Sequence, residues 1–145
     1  MRIATGLAWL AALETWVAEQ LTAYPQLALA GDFNIAPDDR DVHDPAAWAG
    51  QILCSDAERS AFQRLLALGL HDSFRLFEQP EKTFSWWDYR MLGFQRNQGL
   101  RIDHILLSEP LRARCTASGI DREMRKRERP SDHAPSIVDL AELAD

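Results

Sequence analysis

The run Leu100-Arg101-Ile102-Asp103-His104-Ile105-Leu106-Leu107 is an apolar stretch that Asp103 interrupts. It follows the turn-forming residues Arg96-Asn97-Gln98-Gly99, and this order predicts a β-strand that leaves a turn. The aromatic segment Thr83 to Tyr89 lies before the turn and is also strand-like, so the two strands are expected to form a hairpin. The fold is therefore expected to contain a sheet in which neighbouring strands run antiparallel.

Asp103 is the residue that does not fit an apolar strand. Side chains alternate along a strand, so Asp103 should lie on the face opposite Ile102 and His104. Burying a carboxylate without a partner is unfavourable, so a basic or polar neighbour is expected. A structural pair with Arg101 or Arg90 and a catalytic role are both open at this point.

Outside the hairpin, apolar periodicity predicts two helices and three further strands. One helix covers Leu7 to Tyr24; a second begins at the capping-box sequence Ser55-Asp56-Ala57-Glu58 and ends at Gly69. The further strands are residues 27–30, 112–120 and 136–140, and residues 32–44 form a loop. This pattern predicts an α+β protein, an α/β sandwich with one mixed or antiparallel sheet and helices on one face.

The composition indicates an ordinary globular protein of one domain. The 145 residues are 46% hydrophobic and 26% charged, with no apolar run of the roughly 20 residues that a membrane helix needs. The N-terminus lacks the pattern of a secretory signal, which predicts a cytoplasmic location and no membrane association. Cys54 and Cys115 are isolated in sequence, so neither a disulfide framework nor a cysteine zinc site is expected.

One segment of this acidic chain has a local excess of positive charge. The net charge of −6 argues against a protein whose whole surface binds nucleic acid. Residues Asp121 to Arg129, the basic segment, nevertheless contain five positive and three negative side chains. The basic segment is either a solvated charged surface or a region that contacts phosphate.

Asp32 and Asn34 follow the strand predicted at residues 27–30. Strand alternation would point both side chains to the same side. A carboxylate and an amide at the end of a strand could serve as a base and as a donor to a developing negative charge. The alternative is that the two residues only shape a turn.

Asp132 and His133 lie between Pro130 and Pro135, just before the last predicted strand. The prolines restrict this backbone, and in a loop the two adjacent side chains could reach a metal and a neighbouring acid respectively. A single His is more often structural than catalytic. An Asp–His pair, however, would orient the imidazole and stabilise its charged form, and Asp103 still needs a partner.

Four segments together resemble one family. They are Gly31-Asp32-Phe33-Asn34-Ile35-Ala36-Pro37, Thr83-Phe84-Ser85-Trp86-Trp87-Asp88-Tyr89-Arg90, Gly99-Leu100-Arg101-Ile102-Asp103 and Pro130-Ser131-Asp132-His133-Ala134-Pro135. In order and approximate spacing they resemble the C-terminal motifs of the exodeoxyribonuclease III family, within the endonuclease/exonuclease/phosphatase superfamily. The first and last segments are general to the superfamily. The second and third narrow the resemblance to its DNA-repair branch.

The resemblance implies catalytic roles for four residues. Asp32 would orient or deprotonate the attacking water, and Asn34 would donate to a phosphate oxygen. Asp103 would hold His133, which would stabilise charge on the phosphoryl group. The implied reaction is hydrolysis of DNA phosphodiesters, as a 3′–5′ exonuclease on duplex DNA and as an endonuclease at abasic sites.

The resemblance also implies a metal site and substrate contacts. Asp132 would bind Mg²⁺ or Mn²⁺ or lie beside it, with Asp32 and Asn34 as further metal-site residues, because these ions prefer oxygen ligands. Trp86 would line the pocket for the sugar–base end of the nucleotide, and Arg90 would contact DNA. Since successive strand residues face opposite ways, either Trp86 or its neighbour Trp87 is expected to pack in the core.

The family's domain pairs two similar sheet-and-helix halves face to face, and this chain resembles the C-terminal half. The N-terminal half supplies an early Asn, a metal-binding Glu and a Tyr that cannot be matched here. Residues 1–145 are therefore expected to be a single incomplete domain without the N-terminal half. Its open sheet face should join a second copy, giving a homodimer, or the missing half. Activity of the chain alone should be weak or absent.

Two other functions remain open from the sequence. One is a phosphatase of the same superfamily that acts on a small phosphorylated molecule. The other is a non-catalytic half-domain that binds DNA or a partner chain. The aromatic stretch Phe84 to Trp87 and the basic segment favour a DNA phosphodiesterase.

Overall fold

The computed structural model describes the backbone of residues 2–142 and the side chains of residues 7–142. The helices are α1 (Arg2–Ala23), α2 (Pro45–Trp48), α3 (Asp56–Ala67) and α4 (Glu109–Arg112). The strands are β1 (Ala28–Asp32), β2 (Leu70–Asp72), β3 (Trp86–Trp87), β4 (Gly99–Leu100), β5 (Asp103–Ser108), β6 (Cys115–Ile120) and β7 (Ser136–Leu140). Within residues 2–142, no helix combines the length and the apolar character needed to cross a bilayer.

The strands of the described residues pair antiparallel throughout. They form a three-stranded sheet in the order β1-β5-β2, a β3–β4 pair and a β6–β7 pair. The α+β class is confirmed, but the strands divide among three small sheets where one sheet was predicted. The division occurs because residues 101 and 102 leave the predicted strand: the Arg101 N–H donates to the carbonyl of Asp41, and the Ile102 N–H donates to Ser85 Oγ.

The helices cover one face of the three-stranded sheet, as predicted. Leu10 and Val17 of α1, Phe62 and Leu65 of α3, and Leu106 of β5 are buried in one core cluster. The predicted capping box is present: Ser55 Oγ accepts the Glu58 N–H, and the Glu58 carboxylate accepts the Ser55 N–H. Such a cap stabilises a helix by about 1 kcal/mol, which fixes where α3 begins against the sheet.

The face of the three-stranded sheet away from the helices is where the site lies. Strand alternation puts Asp103 and Ile105 on this face, because Leu106 points into the helix-covered core. On β1 the cross-strand partners of these residues are Asp32 and Ala30, both exposed. Part of the sheet that the helices do not cover therefore remains open.

Several elements were not predicted. Strand β2 and the short helices α2 and α4 were missed, and the aromatic segment forms a strand only at Trp86–Trp87. Strand β3 does pair with β4, as the predicted hairpin requires, but a 3₁₀ turn at Arg90–Leu92 lengthens the connection. Gly99 suits this pairing, because a Cβ there would lie 2.6 Å from the carbonyl oxygen of Trp86.

A buried charged network lies beneath the site. Arg101 donates from Nε to Asp41 Oδ1 and from Nη2 to Asp72 Oδ2, both at 2.7 Å. Its Nη1 lies 3.1 Å from Nδ1 of His104, and a guanidinium can only donate, so Nδ1 accepts. The proton of the neutral imidazole is then on Nε2, which donates to the carbonyl of Ile35 at 2.8 Å.

The buried His104 makes stability depend on pH. Burial, and secondarily the Arg101 charge, lower the pKa of His104 from 6.5 to about 4. Between these values the unfolded chain binds a proton that the folded chain excludes, so stability rises with pH across this window. Urea unfolding should show about 2–3 kcal/mol less stability at pH 4.5 than at pH 7 from this group. His104→Gln retains a donor and an acceptor but does not titrate. Its loss of stability between pH 7 and pH 4.5 should therefore be smaller than that of the wild type by about 2–3 kcal/mol. An equal loss in the two proteins would contradict the assignment.

Candidate active site

The site begins with two carboxylates on neighbouring strands. Asp32 ends β1, Asp103 begins β5, and they are direct cross-strand partners. Like charges opposite each other in an antiparallel pair are unfavourable. A compensating positive group is therefore expected close to both.

His133 occupies that position. Its Nδ1 lies 2.8 Å from Asp103 Oδ2, and its Nε2 lies 3.7 Å from Asp32 Oδ2. The ring reaches the sheet because residues 132–134 run beside β3: Trp87 N–H donates to the Asp132 carbonyl, and Ala134 N–H donates to the Ser85 carbonyl. The imidazole thus bridges the two acids.

The electrostatics of the cluster favour a charged imidazole. Burial by itself would lower the pKa of His133, but the hydrogen bond to Asp103 and the charges of Asp103, Asp32 and Asp132 outweigh it. The net effect raises the pKa of His133 above its usual 6.5. Burial raises the pKa of Asp103, the nearby charge of Asp32 adds to this, and the bonds from His133 and Ser85 oppose it. His133 therefore keeps its charge to a higher pH than a free histidine does.

Asp132 and Trp86 complete one side of the site. Asp132 Oδ1 lies 3.8 Å from His133 Nε2, and its Oδ2 accepts the indole N–H of Trp86 at 3.0 Å. Trp86 is half-buried and directed at the site, whereas Trp87 is fully buried and donates to Asn97. The expected division between one core tryptophan and one site tryptophan holds.

Asn34 lies at the same edge but not on a strand. Strand β1 ends at Asp32, and Asn34 has a φ of 54°, so the alternation used in the sequence prediction does not apply. The Asn34 N–H donates to Asp32 Oδ1 at 2.9 Å, which is a turn of the kind that Asp commonly forms. The turn-shaping interpretation of Asp32 is confirmed by Oδ1, while Oδ2 faces His133 and remains available for the catalytic role, which stays a prediction.

Arg90 is not brought to this cluster. Its side chain is exposed, and its described ion pair is with Asp88, at 2.7 Å from Nη2 to Oδ2. The proposed structural pair of Asp103 with Arg101 or Arg90 is also wrong, because Arg101 bonds Asp41 and Asp72 and Asp103 bonds His133.

Ser85 is the site residue that sequence reasoning missed. It is fully buried, and its Oγ accepts the N–H groups of Ile102 and Asp103 at 3.0 and 3.1 Å. Its carbonyl accepts the Ala134 N–H at 2.7 Å. Ser85 thereby joins the strand of Asp103 to the loop of His133. The available signal in the sequence was a small polar residue between the aromatic residues Phe84 and Trp86.

The donor atoms fit a divalent cation. One ligand atom each from Asp32, Asp103 and His133 lie within 4.8 Å of one another. Asp103 Oδ2 is engaged by His133 Nδ1, which leaves oxygens of Asp32 and Asp132 on the Nε2 side of the ring. Asp132 is not in this group of three, but its carboxylate lies on the same side of the ring, and carboxylate oxygens are ligands that Mg²⁺ and Mn²⁺ prefer.

Comparison with known proteins gives a consistent result. The profile of the Endonuclease/Exonuclease/phosphatase family matches residues 1–133. Exodeoxyribonuclease III of Haemophilus influenzae is 46% identical over 116 residues, which cover 75% of this chain and 43% of that protein.

Two solved structures are also similar. A 3′ phosphatase from Neisseria bound to product DNA hairpin superposes with a TM-score of 0.91 at 46% identity, covering 93% of this chain and 52% of that one. An AP endonuclease from Archaeoglobus fulgidus superposes with a TM-score of 0.86 at 32% identity, covering 92% and 52%. The chain thus spans about half the length of the relatives it matches.

Proposed function

This chain belongs to the endonuclease/exonuclease/phosphatase family, and from that premise we propose that it forms part of a DNA-repair phosphodiesterase of exodeoxyribonuclease III type. The observation that carries the proposal is the bridging imidazole. His133 lies 2.8 Å from Asp103 and within 4 Å of Asp32 and Asp132, at the edge of an open sheet face. A buried structural histidine such as His104 makes no comparable set of acidic contacts.

The geometry suggests how the four catalytic candidates divide the reaction. Asp32 Oδ2 would accept a proton from the attacking water. His133 Nε2–H would donate to a phosphoryl oxygen as negative charge develops on the phosphoryl group. The Nδ1–H of the same ring would continue to donate to the Asp103 carboxylate. Asn34 would donate its side-chain amide to the same phosphate. Preorganised donors of this kind typically contribute about 10²–10³ to a rate.

Asp132, Asp32 and Asn34 are the proposed metal-site residues, with Mg²⁺ or Mn²⁺ as the ion. When bound, such an ion would neutralise negative charge on the phosphate and lower the pKa of a bound water. Trp86 already donates to one oxygen of Asp132, which orients the other toward the cluster. These three residues offer oxygen atoms in a partly exposed site, and oxygen is the ligand atom that Mg²⁺ and Mn²⁺ prefer.

The proposed substrate is duplex DNA at a 3′ end or an abasic site. The names of three relatives support it: an exodeoxyribonuclease III, an AP endonuclease and a 3′ phosphatase bound to a DNA hairpin. Trp86 is the proposed wall for the sugar–base end, and Arg90, which is exposed and paired with Asp88 outside the catalytic cluster, is the proposed DNA contact. A cytoplasmic location stays a prediction.

The similarity to a 3′ phosphatase supports a second candidate reaction, removal of a phosphate from the 3′ end of DNA. Removal of a phosphate from a DNA 3′ end uses the same attack on phosphorus as phosphodiester hydrolysis. Comparing abasic duplex, a 3′-phosphorylated duplex and a soluble phosphomonoester would separate these activities. Cleavage of the soluble monoester alone would favour a phosphatase that acts on small molecules.

We propose that the open sheet face joins a second half-domain, either the half that relatives carry or another copy of this chain. Ala28 and Ala30 of β1 and Ile137 of β7 are exposed apolar residues, and the matched structures contain about as much chain again. Exposed apolar surface of this kind commonly marks an interface. Analytical ultracentrifugation should detect self-association, and a monodisperse, highly stable monomer would contradict the proposal.

Metal binding gives a direct test of the site residues. We expect Mn²⁺, followed by water-proton relaxation, to bind the wild-type chain, and Asp132→Asn to weaken it at least about tenfold. Asp139→Asn is the matched control, because Asp139 is an exposed carboxylate on β7 away from the cluster. Equal affinity for Mn²⁺ in the wild type and in Asp132→Asn would show that Asp132 is not a metal ligand.

A further inference from the structure

The loop that carries Asp132 and His133 is bonded at three successive carbonyls. The Pro130 carbonyl accepts the Tyr89 hydroxyl at 2.8 Å, the Ser131 carbonyl accepts Nη1 of Arg125 at 2.9 Å, and the Asp132 carbonyl accepts the Trp87 N–H at 3.1 Å. The first donor is an exposed side chain, and the third is backbone. Arg125 is the one donor of the three that is a buried charged group.

Arg125 belongs to the basic segment, yet it does not face solvent. It is only 7% exposed, and its guanidinium lies over the rings of Phe94, Tyr89 and Trp87 at 4.7, 5.5 and 5.7 Å from their centroids. A guanidinium stacks on aromatic rings and donates in its own plane at the same time. The rings therefore fix the plane in which Arg125 donates to the Ser131 carbonyl.

Ser131 connects Arg125 to the catalytic candidate His133. Its Oγ accepts the backbone N–H of His133 at 3.1 Å, so the position of Ser131 fixes the position of the His133 backbone. From there the imidazole reaches Asp103 Oδ2 at 2.8 Å. Contacts therefore run without a gap from the aromatic rings through Arg125 and Ser131 to the His133–Asp103 hydrogen bond.

We propose that Arg125 is a positioning residue that sets the orientation of His133 through the Ser131 carbonyl. The inference deepens the proposed function and rests on it for the catalytic meaning of His133. It also assigns part of the basic segment a role that is neither a phosphate contact nor a solvated surface. Arg125 touches none of the proposed reacting atoms, so it acts through the loop.

Arg122 supplies a matched control within the same segment. Its guanidinium lies 4.6 Å from the Phe94 centroid and 5.7 Å from that of Trp87, so it stacks on two of the same rings. Nε of Arg122 and Nε of Arg125 both lack a hydrogen-bond partner among the described residues, but only Arg125 donates to the loop, from Nη1 to the Ser131 carbonyl. Loss of either arginine removes ring stacking, but only loss of Arg125 removes the bond to Ser131.

The experiment compares Arg125→Met with Arg122→Met in the full chain, without metal or DNA. The measured quantity is the solvent exchange rate of the His133 Nδ1–H proton by NMR, because the Asp103 hydrogen bond slows this exchange. Circular dichroism and urea unfolding report the fold in parallel. We expect exchange at least about tenfold faster in Arg125→Met and close to the wild-type rate in Arg122→Met, a difference of about 1.4 kcal/mol in protection.

Equal exchange in Arg122→Met and Arg125→Met, or a wild-type rate in Arg125→Met, would overturn the proposal. If Arg125→Met does not fold, Arg125→Lys and Arg122→Lys decide, because lysine keeps the charge but has no planar group that the rings can hold in the orientation needed to donate to the Ser131 carbonyl. Faster exchange is then expected in Arg125→Lys alone, and equal rates would overturn the proposal. The readout needs no hydrolysis, so a chain that binds neither metal nor DNA would refute the proposed function while leaving this positioning role testable.

Discussion

The purified chain alone is expected to degrade DNA from its ends at least about 10³-fold more slowly than exodeoxyribonuclease III of Haemophilus influenzae, because loss of metal-orienting and charge-stabilising groups has effects of this order. The chain is 46% identical to that enzyme but spans only 43% of it. The resemblance to the family assigns a metal-binding Glu to the other half. Gel electrophoresis of end-labelled duplex with Mg²⁺ would measure both rates at equal enzyme concentration.

The control is to supply the other half separately. Adding the segment of the Haemophilus enzyme that lies outside the matched region should raise cleavage, if the open sheet face accepts it. His133→Gln in this chain should then abolish the gain, whereas Asp139→Asn should leave it unchanged. Cleavage by the unsupplemented chain at the rate of the complete enzyme would refute the view that the site depends on a second half.

Replacing Arg101 by Met is expected to destabilise the chain by about 3–5 kcal/mol, which is typical when one partner of a buried ion pair is removed. Asp41 is completely buried and bonds Arg101 at 2.7 Å, so the variant would leave a carboxylate without its main counter-charge. Arg75 also contacts Asp41 but is itself partly exposed. The free energy of unfolding in urea at pH 7 measures the loss.

Arg64→Met is the matched control for this prediction. Arg64 is a partly exposed arginine of α3 that pairs with Glu14 at 3.1 Å. An exposed pair of this kind typically contributes less than about 1 kcal/mol. If Arg101→Met lost no more stability than Arg64→Met, the buried network would not be a principal support of the fold.

The sequence was sufficient for features that depend on local order. The capping box at Ser55 and the class of fold follow from spacing and residue type and are present in the structure, as is a strand that begins at Asp103, although the predicted strand is interrupted at residues 101 and 102. The proximity of Asp32 to Asp103 was implied only by resemblance, because the two are far apart in sequence. Their cross-strand pairing brings them together.

The sequence did not reveal the buried charged network or the buried Arg125. Both depend on which residues, distant in sequence, meet in the interior. Asp41 lies in a segment predicted to be a loop, and nothing local indicates that it meets Arg101 and Asp72. Arg125 is one of several arginines in the basic segment, and only the rings of β3 and its neighbours distinguish it from the exposed ones. Orientation toward the core is a property of tertiary packing and leaves little trace in residue spacing.

The facing acids Asp32 and Asp103 have a further consequence for how this protein could change. Two like charges on adjacent strands are unfavourable and here depend on His133 for compensation, so neutral residues at either position would be easier to accommodate. A chain selected only for thermal robustness would be expected to lose one of them. Under the proposed function, this edge of the sheet exchanges some stability for reactivity, so substitutions chosen to stabilise the protein would remove the proposed chemistry there first.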